Sequence, residues 1–580
     1  MKSLYFNIHK KIGLLSVLII LNACNTDDFL EEGPLDQYTS ASVFKSEADM
    51  VIASNYLYTF LPILDQRYGE SRLWLWTDDG WRRNGGREGA DLNWLADDEF
   101  LDFYAYEQIR HCNEFISRVD GAAFATDGLA ERLKAEARFM RAFLYERMAF
   151  VYGDVPLVTE PQALDFFPSR TPRLDVFNFV IDELDAVADI LPENHEDRDA
   201  GRATKWAALA MKARASLNAI GWHSSPATLY DDAQAACNDI LTNSGLSLDE
   251  GIVGFRRLFT HHSDIGTGSS PSNAVILSRN YLDVVLSEPE ISYKCLPRGS
   301  YQGTGEGAGN NQAQFGATQN LVRSFQTING LAPADDPSYD PAAAWQNMDP
   351  RLRASLILPG DELQSIDGGG TGTYIFSPHP KLEVYRNDRA DRNTGMDTGY
   401  LMRKYSGLSI DNNVTLEYTN TSLAHADYKI IRLAEVILMM AEALAADNNA
   451  QALDYINMVR DRVGMPEYNT VADVPASLMN GTTGNALIDA VLLERRYEFA
   501  GEAPFRMLDI WRYKLGDQVY GPVEGFPNDE NLPGDLSGDN STYANTTRIW
   551  DDKYYLLPIP QEAFDINPNL GANNPGWGAL

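Results

Sequence analysis

The sequence is short of basic residues: 48 Lys and Arg stand against 82 Asp and Glu, giving a formal charge of -34 and a pI near 4.5. A surface this acidic repels phosphate backbones, which argues against nucleic-acid binding. It argues equally against docking on anionic lipid headgroups through a basic face. Apolar residues make up 44% of the chain, so the sequence predicts a globular protein.

Cysteine and histidine are also scarce, with four Cys and eight His in 580 residues. So sparse a set of cysteines forms no disulfide framework, and no metal-binding spacing is present. Cys112 and Cys237 fall in helical patterns, and we expect both to be buried as small apolar residues. His261 and His262 are adjacent in a predicted loop and form no His-Glu-x-x-His motif.

Catalytic motifs are lacking: no Gly-x-Ser-x-Gly, phosphate-binding loop or dinucleotide fingerprint occurs. A glycosidase needs two carboxylates on opposite sides of a bond. Adjacent pairs such as Asp78-Asp79 and Asp97-Asp98 do not by themselves form that arrangement. The sequence therefore argues against a hydrolase and against the nucleotide-dependent enzymes that carry these motifs.

No apolar run reaches the ~20 residues that span a bilayer. The N-terminus instead has Lys2, Lys10 and Lys11 before an apolar run from Ile12 to Leu21, the pattern of a signal peptide. The run ends in Leu-Asn-Ala-Cys24, which resembles the lipobox of bacterial lipoproteins. The resemblance implies cleavage after Ala23, lipidation of Cys24 and anchoring through its acyl chains.

Apolar residues recur at helical spacing along much of the chain. In Glu131 to Val158 they fall at steps of three and four, and Gly153 and Pro156 mark the end of the helix. Helices are predicted at Ser42–Phe60, Phe100–Val119, Glu131–Tyr152, Asp175–Leu191, Thr204–Ile220, Tyr230–Leu241, Tyr428–Ala446, Ala450–Val463 and Ala486–Ala500. Short strands are predicted at Ala274–Leu277 and Tyr400–Tyr405. Paired helices with small contact residues indicate a mainly α, tetratricopeptide-like scaffold with long loop-rich insertions.

These patterns divide the chain into regions. They are a signal peptide (1–23), an anchor and tether (24–41), a helical N-terminal region (42–250) and a C-terminal region (251–580) that is loop-rich in 251–425, helical in 426–515 and a tail in 516–580.

Several sequence blocks resemble the SusD/RagB family of outer-membrane nutrient-uptake lipoproteins. The blocks occur in order along the chain: Glu136–Tyr145 with Tyr152–Leu157, Gly201–Ala208, Thr318–Phe325, Asp349–Leu352, Ile431–Ala443, Asn457–Arg462, Glu494–Gly501, and Leu557–Pro560 with Asn567–Leu570 and Asn574-Pro575. The resemblance implies four tetratricopeptide-like helix pairs and a ligand-binding face built from the insertions. It implies a surface-exposed lipoprotein on the outer membrane, which covers a SusC-like TonB-dependent transporter as a lid. Family members usually bind glycans, some bind peptides, and they have no catalytic activity.

A sugar site needs flat aromatic rings beside planar polar groups. The first candidate is the segment from Leu73 to Gly86, together with Trp94 on the same insertion. We expect Trp74 to anchor the insertion, whereas Trp76 fits either anchoring or binding. Trp81 and Asn84 would present a ring face and an amide to one sugar. The predicted ligand contacts of this segment are Trp76, Asp78, Asp79, Trp81, Arg82, Asn84 and Trp94.

The second candidate is the Gly-rich segment from Ser292 to Phe315, with Tyr293, Tyr301 and Gln314 as predicted contacts. Two alternatives to glycan binding stay open, namely peptide import and a scaffold that serves only the transporter. No cofactor is expected. A structural calcium ion is a further alternative, because Asp388–Asp391 and Asp535–Asn540 offer oxygen ligands without EF-hand spacing.

Overall fold

A computed structural model describes twelve segments and one single residue of the chain. They are residues 44–63, 71–82, 92–163, 165–196, 199–260, 272–280, 295–297, 313–364, 373–376, 398–406, 408, 427–526 and 546–578. Cys24 and the other residues of the predicted signal peptide and anchor lie outside them. Within these segments no helix combines the length and the apolar composition needed to cross a bilayer.

Helices dominate the described part of the chain. They are α1 (Glu47–Leu57), α2 (Ser71–Leu75), α3 (Tyr106–Arg118), α4 (Leu129–Tyr152), α5 (Arg173–Ala188), α6 (Lys205–Ala219), α7 (Ala227–Asn243), α8 (Gly251–Thr260), α9 (Gln319–Ser324), α10 (Pro350–Ser355), α11 (Leu433–Ala446), α12 (Ala452–Asp461), α13 (Ala486–Glu498), α14 (Phe505–Arg512), α15 (Gly516–Val519) and α16 (Gln561–Ile566).

The long helix α4 was predicted two residues short at its start. Most of its residues are buried, because α3 packs on one side of it and α5 on the other. It ends at Gly153, whose φ of 80° is unfavourable for residues with a side chain. A Cβ atom there would also lie 3.0 Å from the side chains of Arg173 and Leu556. The apolar periodicity and Gly153 were therefore enough to predict this helix and its end from the sequence.

The helices pack in a continuous array in which each contacts the next. The order is α3, α4, α5, α6, α7 and then α11, against which α12 and α13 pack. Taken two at a time, these helices form four contacting pairs, α3–α4, α5–α6, α7–α11 and α12–α13, of which the third joins helices on either side of the long insertion. The mainly α, tetratricopeptide-like fold that we expected is confirmed.

The strands are short and belong to the insertions. They are β1 (Gly80–Arg82), β2 (Val275–Arg279), β3 (Phe315–Ala317), β4 (Leu356–Ile357), β5 (Glu362–Gln364), β6 (Thr373–Ile375), β7 (Leu401–Met402) and β8 (Tyr428–Arg432). One sheet has the order β1-β3-β7-β4, and two further pairs are β2–β8 and β5–β6. The predicted strands near Ala274 and Tyr400 are confirmed as β2 and β7.

One helix prediction was wrong over its first residues, and some helices were not predicted. Tyr428–Ala446 was expected to be one helix, but Tyr428–Arg432 forms β8 because it pairs with β2. Helix α8 lies in a region that we expected to be loop-rich, and α14 was not predicted.

A network of buried ion pairs joins the insertions to the array. Glu494 and Glu498 on α13 and Glu502 just beyond it accept hydrogen bonds from basic side chains of four separate segments. The donors are Arg351, Lys404, Arg432, Arg460 and Arg462. Glu498 alone contacts three of these guanidinium groups, at 2.5–3.4 Å. Their charges outweigh the opposing effect of burial and lower the pKa of Glu498.

Candidate functional site

Strand β1 brings the two predicted binding segments together. It pairs antiparallel with β3, with Gly80 opposite Ala317, Trp81 opposite Gly316 and Arg82 opposite Phe315. Because the strands are antiparallel, the chain leaves β1 at the same end of the sheet at which it enters β3. The residues that follow Arg82 and those that precede Phe315 therefore start from neighbouring points. Spacing in the sequence did not predict this proximity.

A glycine permits β1 to lie directly against α2. A Cβ atom on Gly80 would stand 2.3 Å from the carbonyl oxygen of Trp74 and 2.7 Å from the Cα atom of Leu75. Both contacts are with backbone, which cannot move aside as a side chain can. The position of β1, and with it the end of the sheet, depends on the absence of a side chain here.

The turn between α2 and β1 has its carbonyl groups satisfied by distant residues. Arg548 donates to the carbonyls of Leu75, Thr77 and Gly80. Tyr520 donates its hydroxyl to the carbonyl of Trp76. Thr318 adds a hydroxyl donor to the carbonyl of Asp78 at 2.6 Å and a backbone donor to that of Asp79 at 2.9 Å. Sequence reasoning missed Thr318, Tyr520 and Arg548, which make the turn a rigid base for the sheet end.

The predicted contacts Trp76 and Trp94 lie in the main hydrophobic core and not on a ligand face. They are 1% and 2% exposed, and their ring centroids are 4.7 Å apart. Trp94 also packs edge-to-face on Tyr554 at 4.9 Å. Trp74 is likewise buried, as its predicted anchoring role requires. We correct the assignment of Trp76 and Trp94, because neither ring has a face open to a sugar in this conformation.

Trp81 is covered too, although by a different cluster. It is 5% exposed and belongs to a small apolar core beneath the sheet with Leu296, Leu401 and Val523. The guanidinium carbon of Arg548 lies 5.7 Å from the centroid of its ring. In this conformation the ring of Trp81 packs in this apolar cluster and does not present a face on which a sugar could stack.

Asp78 and Asp79 form a buried ion-pair cluster with two arginines. Arg506 donates to both oxygens of Asp78 at 2.9 and 2.8 Å, and Arg496 donates to both oxygens of Asp79. Asn480 adds a hydrogen bond of 2.6 Å to Asp78. The two carboxylates are 3% and 1% exposed, so this cluster ties the turn to α13 and α14. Their assignment as ligand contacts is therefore corrected to a structural role.

The two carboxylates have different pKa values for identifiable reasons. Burial opposes ionisation of Asp78, but Arg506 and Arg496 outweigh it and lower the pKa of Asp78 to about 2. Burial raises the pKa of Asp79, and the charge of Asp78 adds to that effect against the attraction of Arg496. The cluster holds one firmly ionised carboxylate beside one that is harder to ionise.

Arg82 and Gln314 remain as predicted contacts with partial exposure. Both are half-buried at the end of the sheet where β1 ends and β3 begins. Asn84, Tyr293 and Tyr301 lie outside the described residues, so their roles stay predictions. The calcium candidates Asp388–Asp391 and Asp535–Asn540 also lie outside them. Across the described segments no group of three or more His, Cys, Asp or Glu residues is arranged to hold a metal ion.

Two family models match this chain. The model described as SusD family matches residues 274–577, which is more than half of the 580 residues. The model described as "Starch-binding associating with outer membrane" matches residues 81–217. The first match includes β3, the ion-pair network and helices α9 to α16. The second begins at Trp81 and extends into α6.

Relatives and solved structures resemble the chain over nearly its whole length. The SusD-like protein P2 of Formosa agariphila is 25% identical over 98% of this chain and 100% of its own. A SusD-like protein of Bacteroides ovatus is 24% identical over 96% of this chain and 94% of its own. A crystal structure of a SusD-like protein from Bacteroides fragilis has a TM-score of 0.72 at 21% identity, covering 94% of this chain and 100% of that one. A structure from the same organism, described as a SusD-like carbohydrate binding protein, has a TM-score of 0.71 at 24% identity, covering 91% and 100%. At these identities the structures show a shared fold.

Proposed function

The chain belongs to the SusD family, and we propose that it captures a glycan at the cell surface and delivers it to a SusC-like TonB-dependent outer-membrane transporter. One structural relative is described as carbohydrate binding, and one matching family model is described as starch-binding and associated with the outer membrane. The proposed role is binding and transfer without catalysis.

The observation that carries this proposal is the register of β1 and β3. It places Arg82, the residue after which the segment containing Asn84 begins, opposite Phe315, which follows the segment containing Tyr301. A glycan chain is extended and needs several contacts in a row, so two adjacent segments suit it better than either alone. We propose that Arg82, Asn84, Tyr301 and Gln314 line the glycan site at this end of the sheet.

The chemistry of these residues fits a sugar. The guanidinium of Arg82 and the amides of Asn84 and Gln314 are planar groups that hydrogen-bond to neighbouring hydroxyls. The phenol ring of Tyr301 offers an apolar face for the C–H face of a pyranose. The turn that precedes β1 has its carbonyl groups held by hydrogen bonds from Arg548, Tyr520 and Thr318. A rigid base of this kind reduces the entropy lost on binding.

The route to the membrane is part of the proposal. Lipidation at Cys24 would place several acyl chains on one residue, which is enough for stable anchoring. The tether, residues 24–41, would then hold the array at the outer surface of the outer membrane. There the protein would cover the transporter, and its acidic surface would keep it away from anionic headgroups.

Native affinity electrophoresis against a panel of soluble polysaccharides tests the proposed site. We expect one polymer to retard the protein, and we expect Asn84→Ala and Tyr301→Ala each to reduce that retardation. Asn93→Ala is the matched control, because Asn93 is an exposed residue of the same insertion. Retardation that survives both variants would refute the placement of the site. Lack of retardation on every polymer would refute glycan capture by the isolated protein and favour peptide import.

The transporter partnership needs a separate measurement. We expect the protein, isolated from its native outer membrane after cross-linking, to carry a TonB-dependent barrel in roughly equal amount. A Cys24→Ala variant should lose both membrane retention and the cross-link. A wild-type protein that reaches the membrane but cross-links to no barrel would contradict the proposed delivery step.

A further inference from the structure

A large cleft lies away from the β1–β3 sheet, at the N-terminal end of the helical array. Its volume is about 860 Å³, and its walls come from α1, the start of α4, the segment between α5 and α6, and the end of β2. None of its lining residues belongs to the four-stranded sheet. The volume falls within the range of roughly 300–1,000 Å³ that small-molecule sites occupy in proteins.

The floor of the cleft is a hydrogen-bonded network of planar side chains. Arg202 donates to Glu136 at 2.6 Å and lies 3.0 Å from Asp199. Arg132 donates to the same Asp199 at 2.9 Å. Tyr58 donates its hydroxyl to Glu136 at 3.0 Å. These contacts hold the polar groups in fixed orientations, so they are organised before any ligand arrives.

Part of this network is open to solvent and has unused hydrogen-bonding capacity. The side chains of Arg132 and Asp199 are 22% and 15% exposed, whereas Glu136 beneath them is 1% exposed. Asn55 is exposed, and its side-chain amide oxygen accepts a hydrogen bond from Arg202. Among the described residues, the amide nitrogen of Asn55 donates no hydrogen bond, which leaves two donors facing the cleft. The amide oxygen of Asn280 on the opposite wall is held by Ser278 at 2.6 Å.

The charges on the side chains that line the cleft cancel, and the buried carboxylate of Glu136 beneath them is paired with Arg202. Three carboxylates, on Glu47, Asp127 and Asp199, face three guanidinium groups, on Arg132, Arg202 and Arg279. Two of the guanidinium groups contact Asp199, and the carboxylate of Glu47 accepts hydrogen bonds from the backbone of residues 125 and 126. On a chain of charge -34, such a neutral cleft would not draw in an anion, and a cation would find stronger attraction elsewhere on the surface.

The lining also contains apolar side chains, which supply surface for carbon-bound hydrogens. Ile190 is 44% exposed, and Val51, Leu129 and Pro192 also line the cleft. A ligand that matches the whole cleft is therefore uncharged, rich in neighbouring hydroxyls and apolar on one face. Pyranose sugars combine these three properties, because each hydroxyl both donates and accepts while the ring carries C–H groups.

We propose that this cleft is a second carbohydrate site, which takes a short neutral oligosaccharide or one end of a longer chain. It shares only the class of ligand with the function proposed above and does not use the residues of the sheet end. A protein with two sugar sites can hold one glycan at two points, and the linked contacts then bind more tightly than either alone.

Hydrogen exchange of the full-length protein in detergent, followed by mass spectrometry, tests the proposal. The sugar probes are maltohexaose, cellohexaose, xylohexaose and mannohexaose, and tetra-alanine is the peptide probe; each is also titrated by calorimetry. We expect one sugar probe to slow exchange in residues 126–132 and 199–202. The same slowing should persist in an Asn84→Ala, Tyr301→Ala double variant, which alters only the sheet-end site.

Ala200→Trp provides a steric block, since Ala200 is an exposed residue of the lining. We expect it to weaken binding in the cleft at least tenfold and to abolish the slowed exchange. Ala186→Trp, at an exposed position on α5 outside the cleft, is the matched control and should change neither. Asn55→Ala is a second variant with a smaller loss, at least fivefold, and adds no bulk.

Four outcomes would overturn the proposal. A probe that binds by calorimetry without slowing exchange in these two segments would leave glycan capture intact and reject the cleft. Slowed exchange that persists in Ala200→Trp would also reject it. Absence of binding by every probe would reject the cleft as a neutral-sugar site, while the polysaccharide panel would still decide the function of the sheet end. Slowing by tetra-alanine and by none of the sugars would make the cleft a peptide site.

Discussion

Replacing Asp78 by Asn separates a structural role of this carboxylate from a ligand-binding one. In the folded protein the pKa of Asp78 is about 2, against an ordinary value of 3.8. This difference corresponds to about 2–3 kcal/mol of folding stability at neutral pH. Arg506 would keep a weaker contact with Asp79, at 3.8 Å, so we do not expect the larger cost of a wholly unpaired buried charge.

The expected loss can be read locally by hydrogen exchange. Amides in residues 72–82 should open roughly 30- to 150-fold more often in Asp78→Asn than in the wild type. Asp97→Asn is the control, since Asp97 is an exposed residue of the same insertion, and its effect should stay within about 0.5 kcal/mol. The folded fraction of Asp78→Asn should be retarded by polysaccharide as strongly as the wild type.

The pH dependence gives a second check with a fixed sign. Because the pKa of Asp78 is lowered in the folded state, its contribution is complete above the ordinary pKa of 3.8 and is lost as the pH falls toward 2. The stability of the wild type and of Asp78→Asn, measured as denaturant midpoints, should therefore differ at pH 7, and the gap should narrow as the pH falls below about 4. Unchanged exchange in residues 72–82 together with loss of glycan binding would refute the structural role.

Two further substitutions test the packing that supports the site. Glu498→Gln should cost about 3–5 kcal/mol, because it removes the carboxylate that pairs with the buried guanidinium of Arg462 and takes one partner each from Arg351 and Arg432. Adding Arg462→Met should recover at least about 1 kcal/mol relative to the sum of the single changes in a denaturant double-mutant cycle. Strict additivity would contradict the pairing. Gly80→Ala should cost about 1–3 kcal/mol of stability and weaken glycan retardation, because its Cβ would lie 2.3 Å from the carbonyl oxygen of Trp74. Gly121→Ala is the control, because a Cβ there meets nothing within 4 Å, and it should change neither stability nor retardation. Equal effects of the two substitutions would refute the argument.

The helical scaffold could be predicted because its information is local. The apolar period of α4 and the glycine at its end specify the helix without reference to any partner. Residues Tyr428–Arg432 show where local information stops. They continue the apolar pattern of α11, yet they form β8, because β2 lies about 150 residues earlier in the chain and supplies a pairing partner.

The candidate site was less predictable because aromatic residues serve cores and sugar sites equally well. The concentration of Trp between residues 74 and 81 indicated an aromatic insertion, but exposure depends on what packs against it. For Asp78 the deciding partners are Arg496 and Arg506, which lie 418 and 428 residues away in the chain. No local pattern links residues so far apart. The pairing of β1 with β3, which joins the two predicted segments, could not be predicted from the sequence either.

The third helix pair has a consequence for how the chain folds as it is made. Leu433 at the start of α11 follows Asn243 at the end of α7 by 190 positions (433 − 243). Cys237 of α7 is buried where α11 packs, and burial, with the nearby charges of Glu435 and Glu442, raises the pKa of its thiol. Until ribosomes have supplied α11, that face of α7 stays uncovered and open to aggregation or to chaperones. Completion of the array thus distinguishes a finished chain from a truncated one.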